Sequence, residues 1–93
     1  MDRSEAQAIL TAHLEPYRRR SYGSLVALMG DVHVTEVVGP SGVEYQIEVE
    51  VVWDSAREKA SVRVLGAIDD GHLRGSVVPV SDSFIVAPDG TLL

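Results

Sequence analysis

Cysteine is absent from this 93-residue chain, which excludes disulfides and thiolate chemistry and leaves the redox compartment unmarked. Basic residues are few: eight Lys and Arg stand against fourteen Asp and Glu, for a formal charge of −6. Such a balance repels a phosphate backbone, so nucleic acid is not an expected partner and a basic protein is. Long apolar runs are also missing. The longest, Leu25 to Met29, falls far short of the ~20 residues a membrane-spanning helix needs, so no membrane partner is expected. The charged start MDRSEAQ carries no apolar signal segment, and the cytoplasm is the expected compartment.

What is present is a strand pattern. In EYQIEVEVVWD, Tyr45, Ile47, Val49, Val51 and Trp53 alternate with Glu44, Gln46, Glu48, Glu50 and Val52. That two-residue period predicts a central strand with one buried and one wet face. Upstream, Asp2/Glu5 and Ser4/Gln7 form overlapping capping boxes, and Ala6, Ile9, Leu10, His13, Leu14 and Tyr17 make a helical stripe. A helix is expected over about Ser4 to Arg20, kinked or restarted at Pro16. A short second helix follows, with Ser21 as its N-cap and Gly30 as its stop. Arg18, Arg19 and Arg20 read as a solvated helix end rather than an anion grip.

Val32 to Val38 is the next strand, and Gly39-Pro40-Ser41-Gly42 has the composition of a type I turn. A four-residue loop there sets Val38 against Val43, Val34 against Ile47, Val32 against Val49 and His33 against Glu48. A turn over Asp54 to Lys59 sets Val51 against Val62, Val49 against Val64, Ile47 against Gly66 and Glu50 against Arg63. Asp70-Gly71 is hairpin chemistry and predicts a fourth strand from Leu73 to Val78, with Gly75 facing Gly66. Pro79 should end that strand or mark an edge. Phe84 to Val86 is then a last short strand or an edge cover. The 93 residues form one α+β domain: a helix and a short helix packed on a four-stranded antiparallel meander.

YQIEVEVVWD, VRVLGAIDDG and VPVSDSFIVAPDG together resemble a group of short uncharacterised bacterial proteins. The likeness runs from about Tyr22 to Gly90. It implies a shared fold, a cystatin-like or NTF2-like roll, and no activity.

No catalytic motif appears, so an enzyme is not the favoured reading. There is no G-x-S-x-G elbow, and Glu44, Glu48 and Glu50 point to the wet face. Asp69-Asp70-Gly71-His72 reads as a turn rather than a metal site; no metal and no cofactor is expected. His13 could serve as a general base, but a partly buried histidine with one satisfied hydrogen bond accounts for it better. Two surfaces are left. One is a pocket between helix and sheet, lined by His13, Tyr22, Tyr45, Trp53, Gly66 and Gly75. The other is the outer sheet face, where Val37, Val52, Leu65, Ala67 and Val78 mix with Glu48, Glu50, Arg63 and Arg74; either a second copy or the segment from Phe84 to Leu93 would cover it. The favoured expectation is a non-enzymatic module that binds a basic protein or forms a homodimer through that outer face. The alternative is a small-molecule-binding or enzymatic roll built on the pocket.

Overall fold

Of the two overlapping capping boxes, the one at Asp2 is used: its carboxylate accepts the Glu5 N–H at 3.0 Å and starts α1, Arg3–Arg18. The computed structural model describes residues 2–71 and 79–93. Ala6, Leu10 and Leu14, one helical turn apart, form the buried ridge of α1. Pro16 sits in the last turn, and the Arg19 and Arg20 N–H groups close onto the carbonyls of Pro16 and Tyr17 at 3.2 Å. The helix therefore stops at Arg18, two residues short of expectation. Ser21 caps α2, Tyr22–Val26, and Gly30 ends the following turn at φ 95°, a conformation that favours glycine.

Four strands follow: β1 Val32–Val38, β2 Glu44–Trp53, β3 Val62–Asp69 and β4 Val80–Val86. They make one antiparallel sheet in sequence order. α1 lies over β3 and β4, and α2 over β2 and β3. Between the layers, Leu10, Leu14 and Leu25 meet Tyr45, Ile47, Val49, Val51, Val62, Val64, Ile68, Phe84 and Val86, all buried. Each fully buried Val, Leu or Ile contributes roughly 1.5–3 kcal/mol, so this layer holds the domain together. No helix among the described residues is long and apolar enough to cross a membrane. The α+β class and the antiparallel meander are as the sequence predicts, whereas all three strand registers differ from it.

The β1–β2 pairing differs by one residue. Gly42 N–H bonds the Gly39 carbonyl at 2.9 Å, which is the expected turn, but Gly39 N–H bonds the Val43 carbonyl at 2.8 Å. With Gly42 at φ 88°, the loop is the three-residue type in which a turn is followed by a left-handed glycine bulge. Val34 consequently opposes Glu48, not Ile47, and His33 opposes Val49. A slip of one residue exchanges the faces of a strand. His33, Thr35 and Val37 turn inward, while Val32, Val34 and Val38 turn outward and are 53%, 53% and 67% exposed.

The β2–β3 pairing differs by two. Asp54 N–H bonds the Ser61 carbonyl at 2.8 Å, the loop turns through Lys59 N–H to the Ser55 carbonyl, and Lys59 itself takes φ 49°. Val51 thus meets Val64, Ile47 meets Ile68 and Val52 meets Arg63. An even shift keeps every side chain on its expected face, so binary pattern cannot distinguish the two registers.

The fourth strand is displaced. The expected strand Leu73 to Val78 lies outside the described residues, and β3 pairs instead with Val80–Val86: Ile68 with Val80, Gly66 with Asp82, Val64 with Phe84. Asp70-Gly71 is therefore not a two-residue hairpin turn. Pro79, which cannot donate to a ladder, stands immediately before this edge strand. Phe84 to Val86 forms the end of β4, not a further strand or a cover for the outer face.

Candidate functional site

On the helix side of the sheet, Glu5, Tyr45 and Tyr22 spend their polar atoms on internal bonds, whereas the buried Nε2 of His33 has no hydrogen-bond partner among the described residues. Glu5 accepts the Tyr45 hydroxyl at 2.6 Å, the Ser41 hydroxyl at 2.7 Å and the Ser41 N–H at 3.0 Å, tying α1 to the β1–β2 hairpin. These bonds, first that from Tyr45 and then those from Ser41, hold the Glu5 carboxyl below its ordinary range. The same bond, with burial and the Glu5 charge, pushes the Tyr45 phenol up to about 12. Gly39 is required here, because a Cβ on it would lie 2.7 Å from Glu5 Oε1 and 2.9 Å from Tyr45 Cε2.

The three arginines at the C-terminal end of α1 are also engaged within the domain. Arg18 reaches Asp82 at 3.5 Å and covers the Phe84 ring at 4.8 Å; Arg19 pairs with Glu15 at 3.3 Å; Arg20 donates to the Ser24 hydroxyl at 3.3 Å. Asp69 accepts the Gly71 N–H at 2.8 Å, as a turn residue does. Among the described residues, no three histidines or carboxylates converge as a metal site.

The residues expected to line a helix–sheet pocket are spread along the layer. Tyr45 and Trp53 are eight residues apart on β2, about 26 Å at strand rise. Tyr22 donates its hydroxyl to the Ala60 carbonyl at 2.6 Å beyond the Trp53 end. His13 is half-buried on α1 with its ring 6.2 Å from that of Tyr17. Over Gly66, a Cβ would meet Leu14 at 3.0 Å and Leu10 at 3.1 Å, so those leucines fill the patch that glycine leaves. Gly75 lies outside the described residues.

The outer face is different in kind. Val52, Leu65 and Ala67 are on it as expected, Val78 and Arg74 lie outside the described residues, and Val37 is on the inner face. Val32, Val34 and Val38 take Val37's place, and β4 adds Ile85. The face therefore carries an apolar set in which Leu65 is 37% exposed, crossed by Glu44, Glu48 and Glu50 on β2. A groove of about 470 Å³ runs from Val32 past Glu48, Glu50 and Leu65 to Ser81 and Ser83. Its basic neighbour Arg63 is held by Asp54 at 2.8 Å and by the Ser83 hydroxyl at 3.2 Å. A second groove of about 390 Å³, at the hairpin end, has Glu36, Glu44 and Asp70 among its walls.

The outward valines of β1 were missed because the alternation of Val32, Val34 and Val38 points them inward on any apolar scale. Gly42, placed three residues after Gly39, was the available signal for a bulged loop.

Comparison of the chain with protein-family models, with curated proteins and with solved structures returns no match. The structure shows an α+β fold with a four-stranded antiparallel meander, and no comparison supports the expected cystatin-like or NTF2-like roll.

Proposed function

We propose that this domain is a non-enzymatic interaction module that receives a basic protein partner on the outer face of its sheet. The observation that carries this reading is the pairing of exposed apolar side chains with acid that has no basic partner among the described residues. Val32, Val34 and Leu65 are exposed beside Glu48 and Glu50, and the cation of that face among the described residues, Arg63, is already committed to Asp54. An apolar patch of this kind, rimmed by one sign of charge, favours a partner with apolar anchors and lysine or arginine around them. Stacking two copies face to face would oppose their glutamate rows, which argues against self-association by that route.

The rival reading, a ligand pocket around His13, Gly66 and Trp53, has less support, since Leu10 and Leu14 occupy the space over Gly66. A synthetic peptide alternating lysine and valine, titrated against the chain by fluorescence anisotropy, tests the proposal. Binding should weaken as salt rises and be lost in Glu48→Lys/Glu50→Lys and in Leu65→Glu. Equal binding by those variants, or none by the parent chain, overturns it.

A further inference from the structure

The free edge of β1 carries information separate from the outer face. In an antiparallel ladder, hydrogen-bonded and non-hydrogen-bonded pairs alternate. The bond from Gly39 N–H to the Val43 carbonyl fixes the phase: Val37, Thr35 and His33 direct their N–H and C=O groups at β2. Val38, Glu36, Val34 and Val32 therefore direct theirs away from the sheet. Exposed edges are ordinarily blunted by proline, lysine, bulges or a covering segment. β1, VHVTEVV, has neither proline nor lysine, and nothing among the described residues pairs with its outer edge. β4 at the opposite edge has a cover: the chain turns back so that Leu92 bridges Val86 and Leu93 N–H bonds the Ile85 carbonyl at 2.9 Å.

We propose that β1 is the seam of a two-fold dimer, pairing antiparallel with β1 of a second copy about Thr35 to make one continuous eight-stranded sheet. The strand is self-complementary in that register. Val32 falls opposite Val38 of the copy, Val34 opposite Glu36, His33 opposite Val37, and Thr35 opposite itself, so all seven residues pair and no like charges meet. The phase of the backbone groups allows only shifts of two residues. A shift one way sets Glu36 against Glu36, and a shift either way leaves two residues of each strand unpaired.

Side-by-side joining also avoids the repulsion of face-to-face stacking. The β2 glutamate rows of the two copies would be three strand spacings apart, about 14 Å, beyond the ~8 Å screening length at physiological salt. The outward valines would meet at the seam, and the acidic-apolar outer faces of both copies would lie on the same side. This inference does not depend on a basic partner binding there. One strand pair is a small interface, so the dimer should be weak and concentration dependent.

Because the chain has no cysteine, single-cysteine variants report the register directly. Thr35 would face its own copy in a non-hydrogen-bonded pair, with Cα atoms about 4.5 Å apart, within disulfide reach. Thr35→Cys should oxidise to a dimer of twice the 10.0 kDa chain mass. Val37→Cys, about 14 Å from its own counterpart, should not cross-link alone but should do so when mixed with His33→Cys. Val34→Pro removes a donor from the free edge and leaves the β1–β2 ladder its bonds. It should stay at monomer mass by light scattering where the parent chain doubles, with an unchanged urea midpoint in dilute, monomeric protein. Cross-linking of Val37→Cys alone as fast as Thr35→Cys, a parent chain that remains monomeric at millimolar concentration, or dimerisation undiminished in Val34→Pro would each overturn the seam.

Discussion

β1 and β4 are both seven residues long and both stand at an edge of the same sheet, yet they are finished in opposite ways. β4 lies under α1, buries Val80, Phe84 and Val86, holds Arg18 through Asp82 and Phe84, and is bridged along its far side by the returning C-terminus. β1 has no fully buried residue, and three of its four exposed residues are valines. One edge serves stability. The other has the composition of a core strand without the burial, and such a mismatch between pattern and environment is characteristic of a working surface.

The sharpest way to break this contrast is to truncate one apolar side chain on each edge. Phe84→Ala should cost about 3–5 kcal/mol, and Val34→Ala no more than ~0.5 kcal/mol, by urea denaturation of dilute protein. Comparable losses would mean that β1 is as integral to the core as β4.

A smaller effect is expected where α1 crosses β3. Gly66→Ala places a methyl group 3.0–3.1 Å from the ends of Leu10 and Leu14, and overpacking of this kind costs roughly 1–3 kcal/mol. A neutral result would show that the helix slides over the covered half of the sheet as freely as solvent does over β1.

The third test concerns the hydrogen bonds from Ser41 and Tyr45 to Glu5, which tie α1 to the β1–β2 hairpin. Because the bonds from Tyr45 and Ser41 hold the Glu5 carboxyl low in the folded state, their stabilisation is complete above the unfolded carboxyl's range and disappears as pH falls through the lowered value. Tyr45 behaves in the opposite sense. Its phenol is raised from 10.0 to about 12, so its share is complete below 10.0 and is lost as pH rises toward 12. Glu5→Gln should flatten both limbs of a plot of urea midpoint against pH. An unaltered plot would remove Glu5 as the group responsible.

Much of this architecture is legible in the chain because short-range rules suffice for it. The stripe Ala6, Leu10, Leu14 predicts which side of α1 is buried, and the alternation from Glu44 to Trp53 predicts the faces of β2, since both depend only on the local period of the backbone. The candidate surface was legible in part. Val52, Leu65 and Ala67 are outward as read, because β2 and β3 keep their faces under an even shift. Val37 and the outward valines of β1 were not, because they hinge on one residue of loop length.

Sequence alone determined the class of the fold, the order of its elements and the inner face of its central strands, all set by periodicity and by where glycine and proline interrupt it. Tertiary structure decided the registers, the strand that borders β3 and the direction in which β1 faces. A register is the joint outcome of loop closure and the fit of a whole layer. In the β1–β2 hairpin, the bulged turn at Gly42 overruled the apolar pattern of the strand before it and left three valines on the open face.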